Sequence, residues 1–182
     1  MKLSERMLAR GADRLYGDLL LVLAVISAVA PLFEGATLAW ALLVAGLAGL
    51  WWIALDRSMH GFLAAGGWTL VSLGLGLHLA FQIGLDVLPL QLTLAAGFVL
   101  LGVSELLLGV ERYRGRPIAR LVLVIGAAVA IAFGVSVPLL WPDLPPWGVS
   151  TVVAVMMASF GIALLVGANR RHRAQRRADE ES

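Results

Sequence analysis

The sequence predicts an all-α integral membrane protein of six transmembrane helices, arranged as three antiparallel hairpins. Three observations support this: an excess of apolar residues, six long apolar runs, and basic residues confined to alternate connections. Of the 182 residues, 60% are hydrophobic and 14% are charged, whereas soluble domains are about 45–50% apolar and about 25% charged. A chain this short cannot bury so many apolar side chains within itself, so the surplus faces a bilayer.

Each apolar run is long enough to cross the roughly 30 Å hydrocarbon layer, which takes about 20 helical residues. Pro, Gly and charged residues mark most joints between the runs. The runs are continuous rather than alternating, which favours helices over the strands of an outer-membrane barrel. The predicted spans are Leu15–Phe33, Thr37–Leu55, Gly67–Leu85, Leu88–Val110, Leu121–Leu140 and Val149–Ala168.

The positions of Lys and Arg predict which side of the membrane each connection occupies. All 14 of them lie in the two tails and in the second and fourth connections, which fall on one side if there are six spans. The opposite connections carry Glu34, Asp86 and Asp143 but no basic residue. By the positive-inside rule, both termini are cytoplasmic. The chain therefore divides into a cytoplasmic segment at 1–14, a membrane domain at 15–168 and a basic cytoplasmic tail at 169–182, with the cell inner (plasma) membrane as the expected location.

Aromatic residues near the ends of the spans indicate an interfacial belt. Indole and phenol rings favour the headgroup level, because an apolar ring there keeps its polar atom wet. We therefore expect these rings to face the membrane–water interface. They are Trp40, Trp141 and Trp147 near the outer ends, and Trp51, Trp52, Trp68, Tyr16 and Tyr113 near the inner ends.

The first span also has some features of a cleavable signal peptide. It has a basic start, a short apolar stretch and the sequence Ala28-Val29-Ala30, which is typical of a cleavage site. Pro31 directly afterwards is a poor cleavage context, so we expect a retained anchor.

The three predicted hairpins show modest internal similarity. Gly74 and Phe81 recur later in the chain as Gly126 and Phe133, and each outer turn contains Pro. Any set of apolar hairpins shares some of these features, so a chance origin stays open.

These features resemble the HdeD-like acid-resistance membrane protein family, which consists of three two-helix units with Trp at a span start, spaced Gly and Pro near the outer turn. The best match runs from Trp68 to Gly74, followed by Pro89, Gly102 and Gly109. The first hairpin lacks the initial Trp, and the third begins with Arg120 instead. The resemblance covers about Leu15 to Gly167. It implies an inner-membrane protein associated with acid or general stress, with no catalytic residues to carry over.

Small residues recur at four-residue spacing on three predicted helices. Such stripes let helix backbones approach closely in lipid. They predict packing inside the bundle, because most helix faces in a small bundle meet a neighbour; a homo-oligomer contact is the alternative. The stripes are Ser72, Gly76, Ala80 and Gly84; then Gly126, Ala130 and Gly134; then Ala41, Ala45 and Gly49.

Polar groups inside the apolar layer are candidates for function, because they are rare there. His78 lies near the middle of the third span, with Gln82 one turn further out. Glu105 lies near the inner end of the fourth span. In an antiparallel hairpin Ser72 has about the depth of Glu105, whereas His78 lies ~9 Å deeper, so Ser72 is the expected partner of Glu105.

The roles of the two ionisable groups stay open. His78 is either a proton-sensing group or a neutral imidazole in a structural hydrogen bond. Glu105 is a protonated packing residue, an interfacial anion or a gate. A small channel or proton-coupled transporter would use both residues together with Gln82, and a structural subunit of a membrane complex is a further alternative.

The basic tail is suited to anionic lipid headgroups, each residue contributing about 1 kcal/mol near the surface, although a topology signal alone would account for it. Its arginines are Arg170, Arg171, Arg173, Arg176 and Arg177. Despite a calculated pI near 9.7, nucleic acid is not an expected partner, because basic residues occupy only gaps and tails. The end, with Asp179, Glu180 and Glu181, is predicted to be disordered.

Chemical motifs are sparse. There is no Cys, and His60, His78 and His172 fall at different depths, so no metal site is predicted. The Gly-rich stretches lack the Lys-Ser/Thr of a phosphate loop. Neither a cofactor nor an enzymatic activity is expected.

Overall fold

A computed structural model describes residues 3–32, 37–55, 61–81, 89–141, 143 and 145–180, with side chains described for 11–32, 37–55, 61–81, 89–141, 143, 145 and 147–169. Six α-helices account for most of these residues. They are α1 Leu3–Val29, α2 Thr37–Leu55, α3 Phe62–Phe81, α4 Leu90–Glu111, α5 Pro117–Leu140 and α6 Pro146–Glu180. A short 3₁₀ turn, Ala30–Leu32, follows α1.

Every one of the six helices contains a stretch long and apolar enough to cross a membrane, so the predicted number of spans is confirmed for the described residues. The third stretch begins earlier than predicted, at Phe62. Gly61 has a φ of 77° and its carbonyl accepts a hydrogen bond from the Ala65 amide, which starts the helix there. The fifth begins at Pro117, a residue that the first helical turn tolerates well.

The last helix is longer than the sequence indicated. α6 continues to Glu180, beyond the predicted end of its span at Ala168. The prediction of a disordered end was therefore wrong for residues up to Glu180. The same helix therefore includes the basic tail up to Glu180.

The six helices pack as a closed ring in chain order. Each helix contacts the next one, and α6 returns to contact α1. The most extensive packing joins α4 to α5, α1 to α6 and α2 to α3, while the helices of each predicted hairpin touch less. The most extensive interfaces in the ring therefore lie between successive predicted hairpins rather than within them.

Glycines make these close interfaces possible. A Cβ atom added to Gly76 on α3 would lie 2.7 Å from the backbone nitrogen of Leu43 on α2. A Cβ on Gly134 would lie 2.8 Å from the carbonyl oxygen of Ala95, and one on Gly161 would lie 2.9 Å from that of Gly17. Real Cβ atoms essentially never approach so closely, so these helix pairs require a hydrogen in place of a side chain.

The outer surface of the ring is strongly apolar. Leu63, Leu70, Leu121 and Val135 are each at least 60% exposed. Soluble monomers rarely present large contiguous apolar patches. This is the surface expected of a bundle surrounded by lipid.

Candidate functional site

Four aromatic side chains lie in the interior of the helix bundle, near the end of α2, near the start of α3 and near the middle of α1 and α6. Phe160 on α6 contacts Tyr16, Trp52 and Trp68 edge-on, with centroid distances of 6.0, 5.8 and 4.9 Å. Tyr16 also stacks on Trp52 at 5.2 Å. None of the four is more than 2% exposed. We call Tyr16, Trp52, Trp68 and Phe160 the aromatic cluster.

The aromatic cluster corrects part of the predicted interfacial belt. Trp52, Trp68, Tyr16 and Tyr113 are at most 2% exposed, so the expectation that they face the headgroups was wrong. The other four rings, Trp40, Trp51, Trp141 and Trp147, are between 39% and 63% exposed. A position near the end of a span predicts the depth of a ring, but not whether it points outwards or inwards.

A charged group inside the ring explains why Trp52 points inwards. Oδ1 of Asp13 accepts a hydrogen bond from Trp52 Nε1 at 2.8 Å and from Arg112 Nη2 at 3.0 Å. The Arg112 guanidinium also lies 4.9 Å from the centre of the Trp52 ring. The ion-paired side chains are only 6% and 8% exposed. This group could not be predicted from the sequence, because no local pattern links residues on α1, α2 and the end of α4.

A second polar group lies beside the aromatic cluster. The Tyr16 hydroxyl donates a hydrogen bond of 3.0 Å to the carbonyl oxygen of Ala45. A Cβ on Gly49 would lie 2.6 Å from Thr69 Oγ1 and 2.7 Å from the Tyr16 hydroxyl oxygen. Because Gly49 has no side chain, the hydroxyl groups of Tyr16 on α1 and Thr69 on α3 can both approach α2 at this position.

Glu105 is the most deeply buried of the predicted ionisable residues, with 0% exposure. Ser159 Oγ on α6 lies 3.2 Å from both of its carboxyl oxygens. The Trp68 indole is also close enough to interact with this carboxyl, although its Nε1 makes no hydrogen bond of good geometry. A Cβ on Gly126 would collide with Glu105 Oε2 and Ser159 Oγ. Residues of α3, α4, α5 and α6 thus meet at one carboxyl group.

The expected pairing of Ser72 with Glu105 was wrong, because the hydrogen-bonding partner is Ser159. Ser72 is fully buried, and its Oγ makes no hydrogen bond to another described residue. The predicted depth was also wrong: Gly67 lies opposite Ser104 and Leu75 lies opposite Gly97, so Glu105 is level with the region of Gly67 and Ser72 lies further along α3. Ser159 was not singled out from the sequence.

The other predicted polar candidates are not brought to Glu105. His78 is 8% exposed and lies further along α3, about 9 Å beyond Ser72 by helical rise. Gln82 and Gly84 lie outside the described residues, and the tail arginines lie where side chains are not described.

The described members of the small-residue stripes contact neighbouring helices of the same ring. Gly76 packs on α2 and Gly134 on α4, and a Cβ on Gly102 of α4 would lie 3.2 Å from the Cβ of Ala130. Ala41 and Ala45 are buried, while Ala80 is partly buried.

An apolar groove of about 530 Å³ lies between α3 and α4, outside the polar groups described above. Its walls are formed by Val71, Gly74 and Leu75 of α3 and by residues between Leu92 and Leu100 of α4. The lining residues include Thr93 but no ionisable side chain. The groove therefore offers apolar contact rather than polar chemistry.

A scan against protein-family models gives no match, and comparison with curated proteins and with solved structures finds no significant similarity. The resemblance to the HdeD-like family therefore stays a prediction based on the sequence.

Proposed function

We propose that this chain is a non-enzymatic, multi-pass protein of the inner (plasma) membrane that is associated with acid or general stress. The main support is the closed ring of six apolar helices, whose interior is filled by the aromatic cluster and by polar side chains that contact one another. Asp13 and Arg112 contact each other and Trp52, an arrangement suited to holding helices together. The resemblance in sequence around Trp68, Gly74 and Pro89 supports the association with stress.

The proposed topology is three hairpins with both termini in the cytoplasm. It is supported by the distribution of all 14 basic residues and by the positive-inside rule. Reporter fusions test it. A fusion after Gly115 should report a cytoplasmic position and a fusion after Asp143 an external one, whereas the opposite result would overturn the proposed orientation.

The stress association is tested by deleting the gene and measuring survival after acid challenge, with complementation by the full chain. We expect lower survival that the full chain restores. Purified protein in liposomes, measured in parallel with a pH-sensitive dye, should give no proton flux above that of protein-free liposomes. Unchanged survival under acid and other stresses would refute the proposed association.

A proton-coupled transporter or channel is the second candidate, and Glu105 is the observation that favours it. This carboxyl group is fully buried beside Ser159 and the indole of Trp68, and ionisable groups within membrane domains often lie on proton pathways. Flux in liposomes that disappears in Glu105→Gln but persists in Glu111→Gln, an exposed position on the same helix, would establish it over the first proposal.

A further inference from the structure

The hydroxyl group of Ser159 lies near three oxygen atoms but has a single hydrogen to donate. Its Oγ lies 2.8 Å from the carbonyl oxygen of Met156 and 3.2 Å from each carboxyl oxygen of Glu105. A serine hydroxyl donates one hydrogen and accepts two. The Met156 carbonyl can only accept, and 2.8 Å is the usual length of an O–H···O bond. The shorter contact therefore takes the Ser159 hydrogen, as serines within helices often do.

With its hydrogen directed to Met156, Ser159 presents lone pairs to Glu105. An ionised carboxylate would then face Ser159 acceptor to acceptor, which is repulsive. A neutral carboxylic acid instead supplies a hydrogen of its own and donates it to Ser159 Oγ. The indole N–H of Trp68 lies near the same carboxyl group but makes no hydrogen bond of good geometry with it. The contacts of Ser159 therefore fit the neutral acid.

The charges around Glu105 agree with this assignment. The residues that contact the carboxyl from α3, α5 and α6 are Trp68, Gly126 and Ser159, and none carries a charge. Residues 37–55 and 147–168 contain no ionisable side chain. A fully buried carboxylate with no paired cation is strongly unfavourable.

Charged and titratable groups on the surrounding helices lie elsewhere. At the end of α4, Glu111 and Arg112 are about two turns away, and Arg112 is paired with Asp13. The remaining ionisable groups whose side chains are described in these helices lie on α1, further along α3 and near the start of α5. They are Arg14, Tyr16 and Asp18 on α1, His78 on α3 and Arg120 on α5.

We propose that Glu105 is a proton-binding site inside the bundle, a neutral carboxylic acid that donates its hydrogen to Ser159. The ligand is a proton. The proposal depends on the packing of the ring and not on the association with stress, so it can hold even if acid survival is unchanged.

Infrared spectroscopy of the full-length protein in lipid at neutral pH tests this proposal. Neutral carboxylic acids and carboxylates have separate C=O absorptions. We expect a carboxylic acid band that moves when the protein contains carbon-13-labelled glutamate and that shifts in heavy water. The band should disappear in Glu105→Gln and remain in Glu111→Gln. In Ser159→Ala it should move to higher frequency, because the acid loses its acceptor.

The measurement also has results that would overturn the proposal. A native protein without a glutamic acid band at neutral pH shows that Glu105 is ionised, and the isotope label gives this answer even if Glu105→Gln does not fold. A band that stays unchanged in heavy water contradicts a proton-binding site, because a bound proton must be exchangeable. A band that does not move in Ser159→Ala refutes Ser159 as the acceptor.

Discussion

Asp13 and Arg112 form an ion pair of 3.0 Å although 99 positions separate them in the sequence. The same Asp13 oxygen accepts the indole N–H of Trp52 at 2.8 Å. One carboxylate therefore ties the first helix to the end of the second and to the end of the fourth. Because the side chains are almost completely buried, we expect the loss of one partner to cost more than it would in a surface ion pair, since the other charge is left buried.

Removing the positive charge of this pair should be strongly destabilising. In Arg112→Gln, Asp13 keeps its hydrogen bond to Trp52 but loses its cation in a buried position. Breaking a buried pair from one side costs about 3–5 kcal/mol of unfolding free energy. The measurement is unfolding in mixed detergent micelles, followed by tryptophan fluorescence.

Arg114→Gln is the matched control, because Arg114 lies in the same connection and is exposed. It should change the unfolding free energy by no more than about 0.5 kcal/mol. Equal losses in the two variants would show that the ion pair does not hold the helices together.

Trp52 and Trp51 offer a comparison between adjacent residues of α2. Trp52 is 0% exposed and donates to Asp13, whereas Trp51 is 52% exposed. Trp52→Phe removes a hydrogen bond to a charged acceptor and weakens the contact with Arg112, so we expect a loss of about 1.5–3 kcal/mol. Trp51→Phe should stay within about 0.5 kcal/mol.

Thermal unfolding in detergent, followed by circular dichroism, distinguishes these two variants without relying on tryptophan emission. If Trp51→Phe proved the more damaging substitution, the inward orientation of Trp52 would be wrong.

Gly76 and Gly74 provide a similar test of helix packing on α3. A Cβ on Gly76 would lie 2.7 Å from the backbone of Leu43, whereas one on Gly74 meets nothing within 4 Å. Gly76→Ala should separate α3 from α2 and cost about 1–3 kcal/mol, as overpacking does. Gly74→Ala should be neutral or gain up to about 1 kcal/mol from higher helix propensity. The unfolding midpoint in detergent reports both changes, and a stabilised Gly76→Ala would contradict the close approach.

The sequence was sufficient to predict the number of spans, because a length of apolar helix is a local property. Thr37–Leu55 was predicted and observed with identical bounds. The stripe containing Gly126, Ala130 and Gly134 was likewise detectable, since spacing along one helix determines a common face.

The partners of the buried polar groups could not be predicted in the same way. The order of helices around the ring would favour Ser72, because α3 is next to α4 and α6 is not. The contact with Ser159 depends instead on the direction of the fully buried Glu105 side chain. Asp13 gave no local signal, because its neighbours in sequence do not include Trp52 or Arg112. The inward direction of Trp52 and Trp68 depends on these tertiary contacts, whereas the belt rule uses depth alone.

The space at Gly126 leads to the prediction closest to the candidate site. A Cβ there would collide with Glu105 Oε2 and lie 2.7 Å from Ser159 Cβ. We expect Gly126→Ala to lower the unfolding free energy by about 1–3 kcal/mol and also to change the carboxylic acid absorption of Glu105, because the two hydrogen-bonding side chains must move apart.

Gly109→Ala on α4 is the control for this change. Its new methyl group would have its nearest neighbour at 3.6 Å, an ordinary van der Waals contact with Leu123. It should leave both the stability, within about 1 kcal/mol, and the infrared band unchanged. A carbon atom added at Gly126 cannot be accommodated without displacing the Glu105 carboxyl or the Ser159 hydroxyl. A Gly126→Ala protein with native stability and an unaltered band would therefore show that Gly126 does not pack against these two groups.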